Sequence, residues 1–130
     1  MIEKVLPLAI TLTCITACSD MCGNSIISRT ASPDGRHEAL LFQRDCGATT
    51  GFTTQISIVE TGASESGSGN AFIADDDHGK ARGGDWGGPW AEVKWLASNH
   101  LLIRYAAKSR IFDQNEAVGS VVLSYQAIAP

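Results

Sequence analysis

None of the apolar runs in this sequence is long enough to span a bilayer comfortably. The longest, "VLPLAITLTCITAC" near the N-terminus, falls short of the roughly 20 residues a membrane-crossing helix needs. No window carries a sustained helical period with caps, so strands are the regular elements expected. Lys and Arg are nowhere clustered and the net charge is −4, which argues against nucleic acid, whose binders gather cations on one face. The same lack of a basic cluster leaves nothing to draw the chain electrostatically to anionic lipid heads. Histidine is limited to His37, His78 and His100, and neither a C-x-x-C nor an H-x3-H pair is there for zinc. With 130 residues, a single domain is the ceiling.

What is present begins with a leader. A short polar start, "MIEK", precedes the apolar run in the order of a secretory signal. The run ends at Ile15-Thr16-Ala17-Cys18, which resembles the lipobox of bacterial lipoproteins: an aliphatic residue, a small or β-branched one, a small one, then the cysteine that receives the lipid. The resemblance implies a signal peptide over 1–17 and lipidation at Cys18. It also implies a membrane partner held by acyl chains rather than by charge. Glu3 and Lys4 would leave together, so the net charge would not change. Cys14 is a poorer second acceptor, and a plain hydrophobic anchor or an apolar N-terminal strand is the alternative reading. Ser19 follows the cysteine in place of the aspartate that favours inner-membrane retention in many Gram-negative bacteria. The expected location is the cell envelope, lipid-anchored and facing the periplasm or the exterior.

Four cysteines occur, Cys14, Cys18, Cys22 and Cys46. Cys14 leaves with the leader, and a lipidated Cys18 cannot pair, so Cys22 and Cys46 remain in an oxidising compartment. One bridge between them is the simplest reading, stabilising the fold by roughly 3 kcal/mol in the chain-entropy model. The competing reading makes Cys46 a nucleophile or ligand, but no histidine stands in a recognisable relation to it.

Residues 18–31 read as the lipidated cysteine and a tether, and 32–130 as a β domain. "SPDG" (Ser32 to Gly35) is a turn: Pro33 presets φ, Asp34 accepts local backbone bonds and Gly35 takes positive φ. "RHEALLFQRD" follows as a strand. "GFTTQISIV" is the cleanest one, with Phe52, Thr54, Ile56 and Ile58 on one face and Thr53, Gln55 and Ser57 on the other. "ETGASESGSG" reads as a flexible connector and "NAFIAD" as a short strand. Asp75 to Trp90, "DDDHGKARGGDWGGPW", is a long loop, a class that is functional or disordered. Strand alternation returns with Ala91, Val93 and Trp95, then Leu101, Ile103 and Tyr105, then Val121, Leu123 and Tyr125. The expectation is a small antiparallel β-sandwich or curled sheet of about five or six strands.

Cys22, "SPDGRHEALLFQRDCGATTGFTTQISI", "GNAFIAD", "V-x-W" and "L-x-I-x-Y" together resemble a family of small, uncharacterised bacterial lipoproteins, with "RDCGATTGF" the most specific part. The resemblance implies an envelope location and a paired Cys22 and Cys46, and it supplies no catalytic residue.

Three groups of residues are candidates for a site. Arg44 and Asp45 flank Cys46, and Thr49 and Thr50 follow in the hairpin loop; Asp45 is a conceivable base without an identifiable partner. Trp86 and Trp90 lie in a glycine-rich loop, where tryptophan either anchors a partner or folds back over the open end of a sandwich. Asp75, Asp77 and His78 are weak metal candidates, since consecutive acids do not match the alternation of a calcium loop. The sequence therefore points to a non-enzymatic envelope module binding a protein partner, without a cofactor. The alternative is a small metal-dependent hydrolase using Asp75, Asp77 and His78.

Overall fold

The computed structural model of the protein describes residues 21–47 and 51–130. The leader, Cys18, Thr49 and Thr50 thus lie outside the described residues. The described chain is all β and contains no helix. Nine strands run in chain order: β1 Gly23–Ala31, β2 His37–Asp45, β3 Thr53–Glu60, β4 Phe72–Asp75, β5 Ala91–Ala97, β6 His100–Ala106, β7 Arg110–Gln114, β8 Ala117–Val118 and β9 Val121–Ile128. They form a five-stranded sheet, β1-β2-β3-β4-β7, and a four-stranded sheet, β5-β6-β9-β8.

The core lies between the two sheets and follows the period of two. Ala39 and Leu41, Ile56 and Ile58, and Phe72 and Ala74 come from the first sheet; Leu101, Ile103, Val121 and Leu123 come from the second. Each fully buried Ile, Leu, Val or Phe of this set contributes about 1.5–3 kcal/mol. Phe72 sits at the centre, with its ring 5.4 Å from that of Tyr105 and 6.0 Å from that of Tyr125. The sandwich is closed along both sides by polar bonds. The Trp95 indole of edge strand β5 donates to the Thr30 carbonyl of edge strand β1 at 2.8 Å. On the far side the Tyr125 hydroxyl lies 3.1 Å from the Ala71 carbonyl and 2.5 Å from that of Asn115, and burial raises its pKa.

Several elements differ from the sequence expectation, each for a physical reason. Residues 23–31 are not a tether but β1, antiparallel to β2 from Gly23↔Asp45 to Ala31↔Glu38. A bulge between Ile26 and Ser28 turns Ile27 into the core and breaks the alternation that would have announced a strand. The strand β7 is masked likewise, by a register shift opposite Ile73 and Ala74 that makes Phe112 the extra residue. One pair is parallel: β6 and β9 run side by side from His100↔Val122 to Ala106↔Ile128. Parallel neighbours need a crossover, and here β7, lying in the opposite sheet, is part of it.

The connector 61–70 is a strap bound across the outer face of the first sheet. Asn24 donates to the carbonyls of Glu65 and Gly67 at 3.0 and 2.8 Å, and Gln55 accepts from Gly69 N–H at 2.7 Å. The Asn70 amide pairs with both backbone groups of Ile58, each at 2.8 Å, as a neighbouring strand would. Leu40 and Phe42 point to this outer face yet are wholly buried, because the strap lies over them. The SPDG turn forms as read: Gly35 has φ 72°, and the Asp34 carboxylate accepts from the Ser32 hydroxyl at 2.7 Å and the Arg36 N–H at 3.1 Å.

Candidate binding cleft at the disulfide end

Cys22 and Cys46 are joined, with S–S 2.01 Å and a sequence separation of 24. The bond fixes the entry of β1 to the exit of β2, at one end of the sandwich. The same end carries the start of β3, the whole Asp75–Trp90 loop and the turn from β6 into β7. The SPDG turn and the Ser98–Asn99 turn lie at the opposite end.

Along the disulfide end a row of side chains crosses four strands of the first sheet. Arg44 on β2 is paired in register with Thr53 on β3, and Asp75 on β4 with Arg110 on β7. Beside this row opens a cleft of about 500 Å³, walled by Arg44, Thr53, Asp75, Asp76, Arg110 and Phe112. Cys46, Gly51 and His78 complete its rim.

The charges of the cleft are largely spoken for. Arg44 is buried; its guanidinium donates to the Asn24 side-chain oxygen at 2.7 Å and to the Ser66 carbonyl at 3.1 Å. Asp45 uses its carboxylate to accept from Gly47 N–H at 3.0 Å. Arg110 grips Asp75 through two nitrogens, Nε to Oδ1 at 3.1 Å and Nη2 to Oδ2 at 2.5 Å. Burial works against ionisation of Asp75, but the Arg110 hydrogen bonds and charge and the Asp77 N–H outweigh it and hold the carboxyl below its ordinary range. The Arg110 guanidinium also lies 5.1 Å from the centre of the Phe112 ring, an exposed aromatic that the cleft leaves open to solvent.

The acidic run forms a turn rather than a ligand set. Asp77 and His78 both take left-handed backbone, φ 51° and 60°. Asp75 accepts from Asp77 N–H at 2.9 Å, and the Asp77 carboxylate faces His78 at 3.5 Å and Lys80 at 3.6 Å. Among the described residues no group of three His, Cys, Asp or Glu could hold a metal ion.

Trp86 and Trp90 lie apart from the cleft. Residues 82–90 form a tight hairpin, with Trp90 N–H bonded to the Arg82 carbonyl at 2.9 Å and Gly84 N–H to Gly88 at 2.7 Å. The hairpin folds Trp86 back onto the core. Its indole donates to the Thr54 hydroxyl at 2.8 Å, and Gln43 donates to its carbonyl. Gly88 is required here, because a Cβ would stand 2.5 Å from the Thr54 hydroxyl oxygen. Trp90 stacks under the Arg82 guanidinium at 4.6 Å.

The sequence candidates Arg44, Asp75 and His78 therefore meet at one cleft, while Trp86 and Trp90 take other places. Arg110, Phe112, Asn24 and Thr53 were not anticipated. Their only sequence signal is the opposite charge of Asp75 and Arg110, and that becomes legible only once β7 is recognised as a strand. Comparison with protein-family models, curated proteins and solved structures finds no match to this chain.

Proposed function

We propose that this protein is a lipid-anchored, non-enzymatic binding module of the bacterial envelope, with the cleft end of the sandwich as its contact surface and an envelope protein as its partner. One observation carries the reading: the cleft-forming ends of β2, β3, β4 and β7 converge at the end where the Cys22–Cys46 disulfide fixes the fold. A surface built from strand ends and braced by a covalent bond is preorganised, which lowers the ordering cost of binding. The hydrolase alternative draws no comparable support, since Asp75 is engaged by Arg110 and Asp77 by its own turn.

Site-specific photocrosslinking in cells tests the contact surface. A crosslinker at His78, on the cleft rim, should capture discrete protein adducts, and one at Asn99, at the far end, should not. Equal capture from both, or capture from Asn99 alone, overturns the assignment. The anchor is tested separately: Cys18→Ser should move the protein from the membrane fraction to the soluble one, and unchanged fractionation would refute lipidation.

A further inference from the structure

We infer that the disulfide end of the sandwich lies directly on the lipid surface, with Met21, Phe52 and Phe112 entering its interfacial layer. The inference rests on the lipid at Cys18 proposed above and adds the orientation that such an anchor would impose.

Reach is the first argument. Four residue steps separate Cys18 from Cys22, so even a fully extended chain spans at most about 14 Å between them. Cys22 is no part of a loose linker: it is bonded to Cys46, and β1 begins at the next residue. A nine-residue strand such as β2 is about 30 Å long. Docking by the far end, with the SPDG and Asn99 turns on the lipid and the disulfide end pointing away, is therefore excluded for a chain whose Cys18 is held in that membrane, and the disulfide end stays within the reach of the tether.

The distribution of exposed apolar side chains is the second argument, and it is independent of the anchor. Among the described residues, Met21 is 79% exposed, Phe112 57%, and Ile26 and Phe52 41% each. All four belong to the half of the sandwich next to the disulfide. Met21 adjoins Cys22, Phe52 precedes β3, Phe112 is two residues beyond Arg110, and Ile26 is in the first half of β1. The two others, Leu96 at 50% and Val122 at 49%, lie at the opposite end on the second sheet, where Val122 N–H bonds to the Asn99 carbonyl. Phenylalanine is among the side chains that interfacial segments bury at the headgroup–acyl boundary, and Phe112 is exposed beside the Arg110 guanidinium.

Charge decides which lipid surface fits. Segments 44–47, 51–52, 75–90 and 107–110 at this end contain five aspartates and five Lys or Arg residues. The balance gives no net attraction to anionic headgroups, so a neutral, zwitterionic lipid surface suffices. In this orientation the cleft opens at membrane level, and the partner it meets is one held at the same membrane.

The test uses the lipidated full chain in phosphatidylcholine vesicles, with and without phosphatidylglycerol. Phe112→Trp and Met21→Trp place reporters at the disulfide end, and Leu96→Trp places a control at the far end; the parent protein supplies the background of Trp86, Trp90 and Trp95. Phospholipids brominated near the headgroup should quench most of the emission added at positions 112 and 21 and leave that at position 96 unchanged, equally with and without phosphatidylglycerol. Quenching that is absent at 112 and 21, equal at 96, or dependent on the anionic lipid overturns the inference. Mass spectrometry of the N-terminal peptide from the same sample separates the two failures. Acyl chains on Cys18 with unquenched reporters refute the orientation alone, whereas an unacylated Cys18 refutes the anchor and the orientation with it.

Discussion

The Trp86 indole donates to the Thr54 hydroxyl at 2.8 Å, and that hydroxyl in turn donates to the Pro89 carbonyl at 2.6 Å. Thr54 is wholly buried, so this two-bond relay is what fastens the glycine-rich hairpin 82–90 over the end of the core.

Thr54→Val keeps the shape of the side chain and removes the relay, leaving a buried indole N–H and a carbonyl unpaired. The expected cost is about 1–3 kcal/mol, read as a lower midpoint in urea unfolding. Trp86 emission should shift to the red as the hairpin loosens. Thr54→Ser retains the hydroxyl and should recover the native emission; a valine variant with unchanged emission would show that the hairpin is held by something else.

Gly69 lies where the strap 61–70 packs tightly against the backbone of the first sheet. A Cβ there would stand 2.8 Å from the Ile56 carbonyl oxygen and 3.1 Å from that of Phe72, backbone atoms that cannot swing aside. Gly69→Ala should therefore lift the strap, cost about 1–3 kcal/mol as an overpacking change, and uncover Leu40 and Phe42 to a hydrophobic dye. At Gly67 an added Cβ meets only the Glu65 carboxylate at 3.6 Å, so Gly67→Ala should leave dye binding at the parent level.

These two sites mark what could and could not be read in advance. Strands with clean alternation were legible, because Ile56 and Ile58, Leu101 and Ile103, and Val121 and Leu123 each put one face into the same core. Strands β1 and β7 were hidden by bulges at Ile27 and Phe112 that shift the phase midway. The strap was hidden for another reason: its Gly–Ser composition has no apolar face of its own. It is held by Asn24, Gln55 and Asn70, polar side chains that in isolation read as solvent-facing. The cleft was half legible. Arg44 and Asp75 could be singled out beside Cys46 and His78, but their partners Asn24 and Arg110 arrive from strands far away in sequence.

The disulfide joins the first strand to the end of the second, so its loss should be felt locally as well as globally. Replacing both Cys22 and Cys46 with serine should lower stability by roughly 3 kcal/mol in the chain-entropy model. Amide exchange should quicken most along β1 and least along β9. A non-reducing digest of the parent protein should yield the Cys22 and Cys46 peptides joined; separate peptides would refute the pairing.

Asp75 gives the pH dependence a definite sign. Its folded-state pKa is held below the ordinary value of 3.8: burial opposes this, and the Arg110 pairing and the Asp77 N–H overcome it. A depressed carboxylate contributes stability that is complete above the unfolded pKa and is lost as pH falls through the lower, folded value, because the unfolded chain then binds the proton first. Asp75→Asn should therefore be less stable than the parent near neutrality, and its stability should fall less steeply below pH 3.8. The two denaturant-midpoint curves should converge in acid. Some acid slope should survive in the variant, because Asp34 is also held low by the Ser32 hydroxyl and the Arg36 N–H. Parallel curves across the acid range would show that the Asp75–Arg110 pair does not couple ionisation to folding.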